Sequence, residues 1–286
     1  MIPISRVGVV GSGAMGAGIA EVSAVAGMDV LVAVSREASL TTGRRRVLAS
    51  LDRAVAKGRL AAAERDAAAA RIGFTMDLSE LADRQLVVEA VREEETLKLD
   101  LFATLDKVVE DPEAILASNT SSIPIMKLAG ATGRPAQVIG THFFNPVPAM
   151  PLVELVGSLH TSDATMDRAE SWVAQTLGKQ PIRSKDRAGF VVNALLVPYL
   201  LSAVRMAETG FATVEDIDQG MVLGCSHPMG PLRLTDMVGL DVVAAVANAL
   251  YEEFKEPLYA APPLLSRMVE GGLLGRKSGR GFYPYQ

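Results

Sequence analysis

A glycine-rich turn between a short apolar run and a helical segment is the feature that most restricts the fold of this chain. Arg6 to Val10 reads RVGVV, a β-branched run typical of a buried strand, and the hexapeptide GSGAMG (11–16) follows it directly. The next residues, AGIAEVSAVAG, have helical spacing, and DVLVAV (29–34) is a second apolar run. Strand, tight turn, helix and strand in this order predict a βαβ unit whose strands are buried on both faces.

The spacing of the glycines in this turn predicts a site for the phosphates of a dinucleotide. Gly11 permits the tight turn, Gly13 lets a pyrophosphate approach the backbone, and Gly16 lets the helix pack closely on the strand. The helix N-terminus then offers free N–H groups and the positive end of its dipole. The alternative is a glycine-rich turn without a ligand. The predicted site is the whole turn, which comprises Gly11, Ser12, Gly13, Ala14, Met15 and Gly16.

The end of the second predicted strand bears on which nicotinamide cofactor binds. An NAD site usually has Asp or Glu there, which holds the ribose 2′-hydroxyl. This chain has Val34, Ser35 and Arg36, and its next acid is Glu37. Val34 has no group that hydrogen-bonds a diol, whereas Ser35 and Arg36 suit a 2′-phosphate. The pattern therefore favours NADP, or the use of both cofactors, over NAD alone, although Arg36 is equally interpretable as an exposed loop charge.

Strand-like and helical segments alternate up to about residue 187, and helices follow alone. This order predicts a doubly wound, mostly parallel Rossmann-like sheet (residues 1–186) and an all-α domain (187–286). Residues 37–71, rich in Ala, Arg and Leu, predict a helical hairpin that breaks near Gly58. The other predicted strands are IGFT (72–75), QLVVEAV (85–91), AILASNTS (114–121), QVIGTHFF (137–144) and PLVELV (151–156), with helices over 94–109 and 163–178, the latter capped by Asp163 and ended by Gly178.

Composition and charge argue against several classes of function. The 28 basic and 33 acidic residues give a formal net charge of −5, so no nucleic-acid surface is expected. The one cysteine, Cys225, has no internal partner and fits a reducing compartment. The N-terminal sequence lacks the features of a signal peptide, and the longest apolar stretch (190–204) is too short for a membrane span and predicts a buried helix. We therefore expect a cytoplasmic protein with no membrane or nucleic-acid partner.

His142 and Glu154 form the candidate proton-transfer pair. His142 lies near the carboxyl end of a predicted strand, where ligands bind in open α/β sheets, and Glu154 lies on the next strand. The turn NPVPAMP between the two strands is expected to bring the side chains together. An imidazole suits the base that an alcohol oxidation needs, and a carboxylate behind it fixes its tautomer. The alternative is a histidine that is bonded structurally within the loop.

The other two histidines carry no such prediction. His160 lies in a polar loop and is expected to be exposed, and His227, which precedes Pro228, is expected to be structural. The three histidines are too dispersed to predict a metal site.

Seven segments, in order along nearly the whole chain, resemble the L-3-hydroxyacyl-CoA dehydrogenase family. Among them, HFFNPVPAMPLVE matches a pattern that is highly specific to that family. The resemblance implies a Rossmann-like domain bearing a helical hairpin, and a helical C-terminal domain that forms a homodimer. It implies reversible oxidation of an L-3-hydroxyacyl-CoA to a 3-ketoacyl-CoA, with a short chain such as 3-hydroxybutyryl-CoA. The segments are GSGAMGAGIA, VVEAV, ASNTSSIPI, THFFNPVPAMPLVEL, DRAGFVVNALLVPYL, HPMGPLRLTDMVGLD and GRKSGRGFYPY.

The resemblance also implies roles for individual residues. His142 corresponds to the base, Glu154 to its orienting partner, and Ser121 to a hydroxyl that contacts substrate and cofactor. Asn193 corresponds to an amide near the substrate oxygen. One departure is Val34, where the family usually has Asp, which leaves the preference for NAD open. Cofactor contacts are implied at Glu93, Lys98, Asn145 and Lys277, and coenzyme A contacts at Ser50 and Lys57, of which Lys57 is equally interpretable as a solvated helix charge.

Two other functions compete with this interpretation. One is a dehydrogenase of related fold that acts on a free hydroxy acid or sugar acid. The other is a cofactor-binding structural or sensor protein that has lost turnover, against which the presence of Ser121, His142, Glu154 and Asn193 argues.

Overall fold

The computed structural model describes residues 3–285 and divides the chain into two compact units. The first unit extends to Arg187 and the second begins at Ala188, next to the boundary that the sequence predicts.

One eight-stranded sheet forms the centre of the first unit. Its strands are β1 (Arg6–Val10), β2 (Asp29–Ala33), β3 (Ile72–Thr75), β4 (Leu86–Glu89), β5 (Ile115–Ser118), β6 (Val138–Phe143), β7 (Leu152–Gly157) and β8 (Gln180–Lys185). The strand order is β3-β2-β1-β4-β5-β6-β7-β8. Neighbouring strands are parallel except for the antiparallel pair β6 and β7. The sheet is therefore Rossmann-like and mostly parallel, as predicted.

Burial explains why the central strands are almost wholly apolar in sequence. Every residue of β4, β5 and β6 is buried, as expected where helices cover both faces of a parallel sheet. The predicted helical hairpin is present, with its break at residues 57–61. The helices of this unit are α1 (Ala14–Val25), α2 (Glu37–Ala56), α3 (Ala62–Ala70), α4 (Glu95–Val108), α5 (Ile125–Gly130) and α6 (Asp163–Ser171).

Some local features differ from the sequence expectations. β8 is an edge strand of sequence QPIRSK that is only partly buried, so it lacks the apolar run that marks the other strands. The cap of α6 is Ser162, whose hydroxyl accepts a hydrogen bond from the backbone N–H of Thr165, and not Asp163. The helix continues through a π-helical turn over Trp172–Thr176 to Gly178, whose φ of +63° ends it as predicted.

The second unit is helical, as predicted, and two buried aspartates fix its C-terminal segment. Asp236 accepts hydrogen bonds from the backbone N–H groups of Phe282 and Tyr283, both at 2.9 Å. Asp218 accepts one from the Tyr283 hydroxyl at 2.9 Å. The helices are α7 (Val192–Glu208), α8 (Val214–Cys225), α9 (Pro231–Val238), α10 (Leu240–Phe254) and α11 (Pro263–Glu270).

The longest apolar stretch of the sequence lies in α7, where Val197, Leu200, Leu201 and Val204 are buried. Among residues 3–285, no single helix is both long and apolar enough to cross a membrane. Within the described part of the chain, one helix pair, α9 and α10, reaches that length and composition when taken together, and the two are bent by 97° where they meet.

Candidate active site

Two of the three glycines in the turn after β1 are required by steric contacts. Gly11 has a φ of +108°, and a Cβ there would lie 2.6 Å from the carbonyl oxygen of Ala90, which follows β4. A Cβ on Gly16 would lie 2.1 Å from the carbonyl oxygen of Gly11. Any side chain at either position would therefore push the turn, the start of α1 and the residues after β4 apart.

Gly13 differs from the other two because a Cβ there would meet nothing within 4 Å. It is the N-cap of α1, and no side chain caps the helix. A group that approaches the N-terminus of α1 at Gly13 therefore meets neither a side chain nor a side-chain cap. This arrangement fits a phosphate group, so the residues present suit the dinucleotide that the sequence predicts.

The helical hairpin is anchored directly on the glycine turn. The Ser12 hydroxyl donates a hydrogen bond to the carbonyl oxygen of Ser39 at 3.1 Å, and the Arg46 guanidinium donates one to the Ser12 carbonyl. Gly43 of α2 lies so close to Ser12 that a Cβ would be 2.5 Å from the Ser12 Cβ. The first half of α2 thus lies beside the glycine turn.

The residues that follow β2 present no carboxylate at the cofactor-specificity position. Val34 is buried, and its backbone N–H donates to the carbonyl oxygen of Thr75 at 3.0 Å. Ser35 and Arg36 are exposed, and Arg36 is the N-cap of α2. The position after β2 therefore holds Val34, Ser35 and Arg36, as the sequence predicts, and none of these side chains is a carboxylate.

His142 and Glu154 stand directly opposite each other on the antiparallel strands β6 and β7. Their side chains share one face of the sheet, and His142 Nδ1 lies 2.7 Å from Glu154 Oε2. Glu154 is fully buried and His142 is 5% exposed. A carboxylate accepts hydrogen bonds only, so it fixes the imidazole hydrogen on Nδ1 and leaves Nε2 as the acceptor.

The other imidazole nitrogen faces Ser121. His142 Nε2 lies 3.1 Å from Ser121 Oγ, and with Nδ1 protonated the hydroxyl is the donor. Ser121 is half-buried and lies in the loop between β5 and α5. In the same loop, Asn119 Oδ1 accepts a hydrogen bond from the backbone N–H of Phe143 at 2.9 Å, and this bond ties the loop to the end of β6. Ser121, His142 and Glu154 therefore form one hydrogen-bonded series.

The histidine series and the glycine turn lie at the same edge of the sheet. β1, β4, β5 and β6 run parallel, so their carboxyl ends share that edge. Gly11 follows the carboxyl end of β1, and His142 is the second-last residue of β6. In open α/β sheets a ligand lies across this edge where the strand order reverses, which here is between β1 and β4.

Glu93 holds the loop that carries Ser121. Its Oε1 accepts the backbone N–H groups of Ser121 at 2.9 Å and Ser122 at 3.1 Å, together with the Thr120 hydroxyl. Its Oε2 lies 2.7 Å from Lys98 Nζ. Burial alone raises the pKa of Glu93, but the Lys98 charge and these hydrogen bonds outweigh it and hold the pKa below its ordinary value.

Lys98 lies beneath Glu93 and is also paired with a carboxylate that the sequence analysis did not single out. Its Nζ lies 3.1 Å from Glu89 Oε2, and both side chains are almost completely buried. Burial raises the pKa of Glu89, against the opposing effects of Lys98 and of the Ser118 hydroxyl. Glu89 was missed because the run LVVEAV is typical of a buried strand, in which one acid carries no spacing signal.

Comparison with known proteins identifies the family. The model described as 3-hydroxyacyl-CoA dehydrogenase, NAD binding domain, matches residues 6–187, and the C-terminal domain of the same family matches residues 189–285. This chain belongs to the 3-hydroxyacyl-CoA dehydrogenase family. It is an oxidoreductase whose first unit is the NAD-binding domain of that family.

Relatives match the chain over its full length. A 3-hydroxybutyryl-CoA dehydrogenase of Mycobacterium tuberculosis is 62% identical, with 99% of each chain covered. The mitochondrial hydroxyacyl-coenzyme A dehydrogenase of Sus scrofa is 41% identical, with 100% of this chain and 92% of the relative covered. The crystal structure of (S)-3-hydroxybutyryl-CoA dehydrogenase from Ralstonia eutropha superposes with a TM-score of 0.94 at 45% identity, with 99% of each chain covered.

The remaining predicted site residues of this dehydrogenase lie outside the histidine series. Asn145 is exposed in the turn after β6. Ser50 faces the buried carboxyl of Glu21, and Lys57 is the exposed C-cap of α2. The second unit contains Asn193, half-buried at the start of α7, and Lys277, whose Nζ lies 2.6 Å from Asp241 Oδ2.

The histidines without a predicted role agree with the sequence interpretation. His160 is exposed, and His227 Nδ1 lies 3.1 Å from the Tyr199 hydroxyl inside the second unit.

Within the part of the chain that the structure describes, no group of three or more His, Cys, Asp or Glu side chains is placed to hold a metal ion.

The contrast between Gly13 and Gly16 leads to a test of the dinucleotide site. Gly13→Ala is expected to leave the melting temperature within about 2 °C of wild type but to weaken NADH binding at least about tenfold, because its methyl enters space that fits the phosphates. Gly16→Ala is the matched control and is expected to lower stability, since its methyl overlaps the Gly11 carbonyl. Titration of intrinsic fluorescence and thermal unfolding measure the two effects. Unchanged NADH affinity in Gly13→Ala would place the cofactor elsewhere.

Proposed function

We propose that this chain catalyses the reversible oxidation of a short-chain L-3-hydroxyacyl-CoA, such as 3-hydroxybutyryl-CoA, to the 3-ketoacyl-CoA. The observation that carries the proposal is the series from Glu154 through His142 to Ser121 at the sheet edge that also carries the glycine turn. The printed names of the relatives, which are 3-hydroxybutyryl-CoA and hydroxyacyl-coenzyme A dehydrogenases, support the same substrate class.

In this mechanism His142 is the general base. Its Nε2 takes the proton of the substrate 3-hydroxyl, while the hydride of the same carbon leaves and the C–O bond becomes a carbonyl. The bound nicotinamide supplies the acceptor for that hydride. Glu154 keeps the hydrogen on Nδ1 and stabilises the imidazolium that forms, because the buried carboxylate lies 2.7 Å away. In the reverse direction the imidazolium returns the proton to the carbonyl oxygen.

Ser121 and Asn193 are proposed to bind the reacting oxygen. The Ser121 hydroxyl already lies within hydrogen-bond distance of Nε2, so an oxygen bound at Nε2 meets this donor as well. Asn193 is proposed, on the resemblance to the family, to add an amide near the substrate oxygen. Two donors at the position where alkoxide character develops stabilise the transition state more than the ground state.

The proposed cofactor contacts divide into direct and indirect ones. The glycine turn binds the pyrophosphate, and Glu93, Asn145 and Lys277 are proposed to contact the rest of the dinucleotide. Lys98 is 1% exposed, so we propose that it acts on the cofactor through the Glu93 carboxylate, which is 38% exposed.

We further propose that the enzyme uses NADP or both cofactors, since Val34, Ser35 and Arg36 replace a fixed acid after β2. The family model describes an NAD-binding domain, and the proposed use of NADP rests on these three residues.

The residue after β2 allows a direct test of cofactor preference. Wild type is expected to oxidise NADPH with a kcat/KM at least equal to that for NADH. Val34→Asp is expected to lower the ratio of kcat/KM for NADPH to that for NADH at least about tenfold. The new carboxylate repels the 2′-phosphate of NADPH and accepts a hydrogen bond from the 2′-hydroxyl of NADH. Val34→Asn is the matched uncharged control. A wild type that prefers NADH strongly, with a ratio unchanged by Val34→Asp, would contradict the assignment.

The coenzyme A part of the substrate is proposed to be held by the helical hairpin. Lys57 is exposed and offers a cation to a phosphate, whereas Ser50 contributes from its position beside Glu21.

The substrate class is tested by comparing acetoacetyl-CoA with free acetoacetate. The kcat/KM for acetoacetyl-CoA is expected to be higher by about a thousandfold or more, since binding energy from the remote carrier contributes to positioning of the reacting carbon. The kcat/KM for each substrate is obtained from initial rates of NADH or NADPH oxidation. Equal rates would favour a free keto-acid dehydrogenase, and no rate with either would favour a binding protein without turnover.

We also propose a homodimer formed through the second unit, and a cytoplasmic location. Large apolar side chains of that unit are exposed, with Phe211 at 79%, Leu195 at 74% and Leu223 at 73%. Contiguous exposed apolar surface is characteristic of protein interfaces, and the proposed dimer also rests on the resemblance to the family.

A further inference from the structure

A buried polar cluster lies beneath the Ser121 loop, and its central carboxylate has no role in the chemistry described above. Its centre is Glu89, the last residue of β4, which is fully buried. The Glu89 carboxylate accepts the Ser118 hydroxyl at 2.6 Å, the backbone N–H of Val91 at 2.7 Å and the Lys98 ammonium at 3.1 Å. These three donors come from β5, from the turn after β4 and from α4, so one carboxylate joins three elements that meet at the carboxyl edge of the sheet.

The cluster continues to the reacting groups through two further contacts. Lys98 is held between Glu89 and Glu93, with its Nζ 2.7 Å from Glu93 Oε2. The other oxygen of Glu93 accepts the backbone N–H of Ser121, and the Ser121 hydroxyl lies 3.1 Å from His142 Nε2. An unbroken series of polar contacts therefore runs from Glu89 to the base.

Glu89 also borders the cofactor side of the site. Its hydrogen bond to Val91 fixes the turn after β4, and the carbonyl of Ala90 in that turn lies against Gly11. The same side chain thus contacts one segment beside the glycine turn and, through Lys98 and Glu93, the loop that carries Ser121.

Stability alone is a weak reason for this cluster. Taking the Glu89 carboxylate and the Lys98 ammonium out of water is costly, and well-packed apolar residues of similar volume are often as stable or more so. Apolar residues would not, however, hold a loop by directional hydrogen bonds. The charged groups are therefore better explained by the geometry that they impose on the loop.

We propose that Glu89 is a positioning residue for proton transfer: it fixes Lys98 against Glu93, so that Glu93 holds the Ser121 hydroxyl at His142. The inference rests on the proposed function, because it assigns Glu89 a role in that same reaction. The Glu89 carboxylate contacts the Ser118 hydroxyl, the Val91 N–H and the Lys98 ammonium, so we propose that it acts through these groups and, beyond Lys98, through Glu93.

The first test is Glu89→Gln, assayed with acetoacetyl-CoA and the better of NADH and NADPH. The amide keeps the shape but removes the charge that holds Lys98, so the loop loses its fixed geometry. We expect kcat to fall about 10- to 100-fold, with the KM for acetoacetyl-CoA within about threefold of wild type. The matched control is Glu95→Gln, which removes the carboxylate of an exposed lysine pair, 2.8 Å from Lys127, and is expected to leave kcat unchanged.

A double mutant separates positioning from a general loss of stability. If Glu89 acts through Ser121, then Glu89→Gln combined with Ser121→Ala is expected to have a kcat within about threefold of Ser121→Ala alone. Independent effects would instead multiply, and a multiplied loss would overturn the proposal. An unchanged kcat in Glu89→Gln would overturn it as well.

Ser118→Ala keeps the test decisive if Glu89→Gln does not fold. It removes one donor to Glu89 and no charge, and we expect a fall in kcat of about threefold to tenfold that is again not multiplied by Ser121→Ala. Full activity in Ser118→Ala, with Glu89→Gln unfolded, would overturn the positioning role. A wild-type protein that turns over no acyl-CoA would overturn the proposed function itself, whereas an active wild type with unaffected variants would overturn only the role of Glu89.

Discussion

The antiparallel pairing of β6 and β7 is the constraint on which the active site depends. In a sheet whose other pairs are parallel, this one hairpin brings two residues twelve positions apart in sequence directly opposite each other. Because side chains alternate along a strand, a shift of one residue in register would move Glu154 to the other face of the sheet. The hydrogen bond between the buried carboxylate and the imidazole therefore follows from strand register, and no mobile loop is needed to form it.

Burial gives the carboxylates of this site their effect. Glu89 and Glu154 both sit within strands and are fully buried, where an ionised group is stable only with partners. Glu154 meets the imidazole of His142, and Glu89 meets a lysine, a hydroxyl and a backbone N–H. Since a low-dielectric interior strengthens such contacts, both carboxylates orient their partners more firmly than exposed ones would. The edge of the sheet thus combines rigid strands with fixed hydrogen-bond directions.

The sequence predicted the parts of the structure that depend on local pattern. The glycine turn could be located because its requirements, close packing at Gly11 and Gly16 and an open approach at Gly13, are confined to a few residues. The pair of His142 and Glu154 could be proposed because the two strands are joined by a short turn, so adjacency in sequence implied adjacency in space. The helical hairpin followed from its composition and from the break near Gly58.

The parts that were missed depend on how strands and helices pack against one another, which local sequence patterns do not show. Glu89 and Lys98 meet only because α4 folds back on β4, and nothing in the spacing of the residues indicates an ion pair. The edge strand β8 is half-exposed and lacks an apolar run, so its sequence resembles a loop. The position of Ser50 beside Glu21 likewise follows from the packing of α2 on α1, which its own sequence does not reveal.

The most direct measurement of the central claim is the single-turnover rate of hydride transfer in His142→Gln, followed by the disappearance of reduced cofactor absorbance with saturating acetoacetyl-CoA. The account predicts that the rate falls by about a hundredfold to ten-thousandfold, since the proposed general base is removed, while the dissociation constant of the reduced cofactor stays within about twofold of wild type. A rate close to that of wild type would show that another group transfers the proton, and would contradict the account.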